Sequence, residues 1–135
     1  MAQETLIRLN DTDLDLTNPS EDVRGEMVVD AEGNELGKVD ELLIDETKRR
    51  VRFLEVGSGG FLGIGEEKRL IPIDAVTSVD DEVHIDKTRQ HVAGAPNYDP
   101  DVARTRDTYY GDYYGYYGYA PFWTPGYTYP GYPHR

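Results

Sequence analysis

Between Asp30 and Lys87 the chain is a succession of short apolar runs separated by charged or glycine-bearing turns. Met27-Val28-Val29 begins a strand, and Glu32-Gly33-Asn34 reverses the chain, since Gly and Asn tolerate positive φ. Lys38 to Asp45 forms a second strand on Val39, Leu42, Leu43 and Ile44, and Glu46 to Arg49 turns again. Arg50 to Val56 makes a third, with Val51, Phe53, Leu54 and Val56 suited to a pleated surface. Leu70, Ile71 and Ile73 mark a fourth, where Pro72 lacks an N–H and belongs at an edge or bulge. Ala75 to Val79 and Glu82 to Asp86 supply two more around an Asp80-Asp81 hairpin turn. Lys87 to Ala93 reads as a short helix or turn, ended by Gly94 and Pro96. Six short strands without a 3.6-residue apolar period predict an all-β fold, a small antiparallel barrel that closes to protect its edges. A core of this size offsets chain entropy by a narrow margin, so a homo-oligomer is expected.

Composition removes several function classes. There is no cysteine, hence no disulfide and no thiolate metal site. The first residues, MAQETLIRLN, lack the apolar core of a secretory signal, and no run approaches the roughly 20 apolar residues of a membrane span. A cytoplasmic protein is expected. Lys and Arg number 14 against 26 Asp and Glu, a net charge of -12. Beyond position 104 only Arg106, Asp107, Asp112 and Arg135 are charged, so the acidic excess lies in the body. Such a body repels phosphate backbones, and nucleic acid is not an expected partner. Lys48-Arg49-Arg50 is the one basic run, placed in a solvated turn.

Three regions follow from this pattern: an acidic N-terminal segment, 1–21; a strand-rich domain, 22–100; and a tail, 101–135, of different character. The middle region resembles the PRC-barrel family. The likeness rests on Asp22-Val23-Arg24-Gly25, the Asp30 to Val39 turn with Gly33 and Gly37, and Val51-Arg52-Phe53-Leu54-Glu55-Val56. It continues through Gly59-Gly60-Phe61-Leu62-Gly63, Leu70-Ile71-Pro72, Ala75-Val76, and the segment from Asp86-Lys87-Thr88 to Pro96. The order and spacing of these pieces carry the likeness, not any single one. The resemblance implies a docking and assembly module without a shared catalytic apparatus, similar to stand-alone bacterial members, some described as stress-related. The ribosome-maturation branch carries a second, N-terminal barrel, which 21 residues cannot supply; ribosome or RNA assembly is the lesser alternative.

Candidate sites are few. The glycine loop Gly57 to Gly65 lacks the Lys, hydroxyl and following helix of a phosphate cradle, and Glu66-Glu67 oppose an anion. Phe61, Leu62 and Ile64 would instead form an apolar contact patch, or fold back as a plug on the barrel. Asp11-Thr12-Asp13-Leu14-Asp15 fails the EF-hand pattern, with Leu16 and Asp22 where Gly and Glu are required. His84, His91 and His134 share no metal-ligand spacing. Turn carboxylates such as Glu66-Glu67 and Asp80-Asp81 stay solvated, so neither cofactor nor metal is expected and the chain is read as non-enzymatic. A small-ligand or metal-binding module is the alternative.

The tail holds ten of the eleven tyrosines. Tyr109, Tyr110, Tyr113, Tyr114, Tyr116 and Tyr117 are interleaved with glycine, and Phe122, Trp123 and later tyrosines with proline. Glycine and proline at this density, with few aliphatics, predict a disordered tail. Its rings suit weak multivalent contacts: self-association, stacking on a protein, glycan or surface, or service as an inert solubilising tail.

Overall fold

The computed structural model describes residues 6–57, 68–96, 98–99 and 109–134. The contact loop carrying Phe61, Leu62 and Ile64 lies outside them. Seven strands form one sheet: β1 (Leu6–Arg8), β2 (Met27–Val29), β3 (Glu35–Asp45), β4 (Val51–Gly57), β5 (Lys68–Pro72), β6 (Val76–Val79) and β7 (Glu82–Ile85). Helix α1 spans Arg89–Ala93 and helix α2 Tyr109–Tyr117. The strand order is β5-β4-β3-β2-β7-β6, with β1 pairing β3 off this path.

Pro72 sits on β5, an end strand of the path, where its missing N–H does least harm. The strands from Met27 to Ile85 follow the apolar runs closely. Three features differ from expectation. Leu6–Arg8, expected as a short apolar start to a loop-like segment, pairs antiparallel with Leu43–Asp45. The sheet is not wholly antiparallel, because β2 and β7 run parallel, Val28 opposite Val83. Among the described residues the path stays open, with β5 and β6 at its ends, so closure into a barrel is not shown.

The expected disordered tail is the main correction. Residues 109–134 are ordered as α2 and a strap of turns that lies on the sheet. The doublets at 109/110, 113/114 and 116/117 recur at helical spacing, so Tyr109, Tyr110, Tyr113, Tyr114 and Tyr117 share one buried face. An interior glycine costs roughly 0.5–1 kcal/mol relative to alanine. A large side chain fully buried returns roughly 1.5–3 kcal/mol. Aromatic burial therefore wins over glycine here. Gly118, at φ +87°, takes the left-handed conformation that ends the helix, its N–H donating to the Tyr114 carbonyl at 2.9 Å.

Two residues set the geometry of the first hairpin. Asp30, 4 % exposed, accepts hydrogen bonds from the N–H groups of Glu32, Asn34 and Arg89, tying the β2–β3 turn to α1. Gly37 has φ +143°, and a Cβ there would collide with the Gly57 carbonyl of β4. Gly37→Ala is expected to destabilise the protein by more than about 1 kcal/mol. Urea unfolding checks this; a midpoint equal to wild type would show that the strand contact can relax.

Candidate functional site

Phe53, fully buried on β4, is the floor on which the tyrosine helix rests. Its ring centroid lies 4.9 Å from Tyr114, 5.7 Å from Tyr110 and 6.0 Å from Tyr113, the last edge-on. Such tilted and edge contacts suit the aromatic quadrupole. The hydroxyls are directed as carefully as the rings. Tyr117 donates to the Leu70 carbonyl at 3.0 Å, Tyr113 to Pro96 at 2.9 Å and Tyr116 to His91 at 2.6 Å. The Asp99 N–H donates to the Tyr109 hydroxyl at 2.7 Å. The helix is thus fixed to β4, β5 and α1 by apolar rings below and hydrogen bonds at their tips.

Beyond Gly118 the strap turns back over β4. Trp123 meets Tyr114 edge-on at 5.7 Å and Phe122 at 5.1 Å. Phe122 lies under the Arg52 guanidinium, 4.4 Å from it, while Arg52 Nε donates to Asp45 Oδ2 at 2.7 Å. This ion pair is almost wholly buried. Glu21, fully buried, joins three parts of the chain. Its carboxylate accepts from Arg50 Nε at 2.7 Å, Val51 N–H at 3.0 Å and the Tyr129 hydroxyl at 3.1 Å. Tyr132 donates to the Glu21 carbonyl at 2.8 Å, and Arg50 stacks 3.6 Å over the Tyr129 ring. Tyr127 donates to Asp74 at 2.9 Å and Tyr119 to Asp86 at 3.0 Å.

Five of these phenols are held neutral. Burial raises the pKa of Tyr110 to about 12. It also raises Tyr113, aided by the Tyr109 hydrogen bond, and Tyr114 and Tyr127, each aided by the nearby Asp74 carboxylate. Burial and then Glu21 do the same to Tyr129.

A family model of the PRC-barrel domain matches residues 18–92. The chain belongs to the PRC-barrel domain family. No curated protein matches it. The match stops short of α2, so in this PRC-barrel protein the sheet is covered by a strap that lies outside the matched residues. Of the tyrosines read from sequence as sticky, five are spent on that cover, and Tyr116 and Trp123 are half-buried at its edge. The five are buried, while Tyr116 packs on His91 of α1 and Trp123 on Tyr114 and Phe122 of the strap itself. The run Lys48-Arg49-Arg50 occupies the β3–β4 connection, with Lys48 and Arg49 exposed and Arg50 held by Glu21.

Sequence reasoning missed the buried carboxylates. Glu41 and Glu55 are cross-strand neighbours, 0 % and 1 % exposed, and share Arg8 of β1. Glu41 also accepts from the N–H groups of Asn10 and Leu42. The signal available was the run Val51-Arg52-Phe53-Leu54-Glu55-Val56, in which charges sit inside an apolar strand. His84 rests half-exposed on Asp80 at 3.2 Å, and His91 stacks on Tyr116 at 4.6 Å. Among the described residues no three His, Asp or Glu side chains gather closely enough to hold a metal ion.

Two titrations follow. Tyr110, Tyr113, Tyr114, Tyr127 and Tyr129 are raised, so their contribution is fully present below the ordinary tyrosine pKa of 10.0 and is lost as pH rises toward the folded values. Trp123 fluorescence and tyrosinate absorbance should change together in one cooperative step well above pH 10; gradual, independent ionisation at ordinary values would refute docking. Burial also raises Glu55 above its ordinary 4.5, against the opposing charge of Arg8. Its ionisation therefore costs stability as pH rises through the folded pKa. Glu55→Gln should gain melting temperature over wild type at pH 7 and lose that advantage below pH 4.5. An advantage independent of pH would place the effect elsewhere.

Proposed function

We propose that the chain is a non-enzymatic protein-interaction or scaffold module that self-associates, in which the C-terminal strap occupies the docking face of the sheet. The supporting observation is the face around Phe53 and Leu70, which already holds an aromatic segment of its own chain through ring contacts and a hydroxyl-to-carbonyl hydrogen bond. A surface that takes this segment in cis has the chemistry to take a similar one in trans. Membership of the PRC-barrel family favours an interaction role in general. The buried carboxylates favour structure over catalysis, since Glu21 and Glu41 are engaged by arginine and backbone N–H groups. Phe61, Leu62 and Ile64 complete the proposal as a second contact, and a stress-related setting rests only on the likeness to stand-alone bacterial members. No described helix is long and apolar enough to cross a membrane.

Size-exclusion chromatography with light scattering on the full chain tests this. The expected mass exceeds the 15.3 kDa of one chain and rises with concentration. The double variant Tyr113→Ala/Tyr114→Ala, which loosens the strap over Phe53, should associate at lower concentration. If wild type and variant both stay at the mass of one chain at every concentration reached, the proposal is wrong.

A further inference from the structure

Thr12 is extended, with φ -137° and ψ 156°, and from Thr12 to Leu16 the chain makes no helix, turn or bend and belongs to no strand. Exposure alternates along it. Thr12, Leu14 and Leu16 are half-buried, while Asp11, Asp13 and Asp15 are exposed. This is the two-residue period of a strand without a neighbour. The Leu14 N–H is taken by Thr12 Oγ1, but those of Asp13, Asp15 and Leu16 have no hydrogen-bond partner among the described residues. Beside the segment lies an open cleft of about 580 Å³, whose apolar lining includes Leu9, Leu14, Leu16 and Pro19.

The charge at the cleft has one sign left over. Arg24, the cation in its lining, is already paired with Asp22 at 2.7 Å and hydrogen-bonded to Asn10. Asp13 and Asp15 make no ion pair among the described residues. Two residues apart on an extended chain, they stand roughly 6.6 Å from each other, the repeat at which an adjacent extended peptide presents its own alternate side chains.

We infer that this cleft docks an extended, basic segment of a protein partner, with alternate Lys or Arg side chains on Asp13 and Asp15. The intervening apolar side chains enter the cleft against Leu9, Leu14 and Leu16, and the free N–H groups of Asp13 and Asp15, on one edge of the segment, supply main-chain pairing. The net charge of -12 steers such a segment in and turns polyanions away. The site is remote in sequence from the strap and stands on the interaction-module reading; light scattering tests that reading independently of this cleft.

Fluorescence polarisation with the full chain and labelled octapeptides decides it. An alternating lysine–leucine peptide is expected to bind, more weakly as salt rises, and an alternating glutamate–leucine peptide not to bind. Asp13→Asn/Asp15→Asn and, separately, Leu14→Ser should each weaken binding about tenfold or more. Glu32→Gln/Glu46→Gln removes two exposed charges elsewhere and should leave binding unchanged. No binding of the lysine–leucine peptide overturns the proposal. So does binding that the cleft variants do not weaken, or that the distant charge variant weakens equally, since that is general attraction to an acidic body.

Discussion

The structure depends on covering β4 from both sides. Every residue from Val51 to Val56 is buried, so both faces of an alternating strand are out of water. A sheet with one solvated face would leave half of these side chains wet. Here the tyrosine helix rests on Phe53, while Arg8 of β1 reaches Glu55 and Phe122 of the strap lies under Arg52. Remove the strap and aromatic surface opens beside a buried arginine–aspartate pair. Order in residues 109–134 is therefore a requirement of the middle of the sheet.

This arrangement also explains the placing of polar groups. Buried tyrosines need partners for their hydroxyls, and the sheet, α1 and the segment just after it offer carbonyls at Leu70, Val51, His91 and Pro96. Glu21 does the complementary work, gathering donors from β4 and the strap onto one carboxylate. Specificity of seating comes from these tips, and most of the stabilisation from the rings.

Much of the fold was legible. Val39 to Ile44, Val51 to Val56 and Val83 to Ile85 fall in strands because their apolar, β-branched and aromatic runs have strand length, and Pro72 lies on an end strand as its missing N–H requires. Leu6–Arg8 escaped because three residues are too few to show a period. The parallel β2–β7 pairing joins elements more than fifty residues apart in sequence, which no local pattern encodes. The tyrosines misled for a different reason. Their spacing at 109, 113 and 117 was helical, but glycine content pointed to disorder, and the deciding quantity was aromatic area buried against a distant Phe53.

From the sequence alone came the strand-rich class, the PRC-barrel likeness, the acidic body and the absence of thiolate chemistry, all of which rest on local residue types or on sums over the chain. Tertiary structure alone decided that the tail is a strap and that Glu21, Glu41 and Glu55 are buried. It also decided that Asp13 and Asp15 border an apolar cleft. Each of these is a matter of which surfaces meet. Burial and desolvation depend on neighbours brought from far along the chain, and a one-dimensional pattern does not contain them.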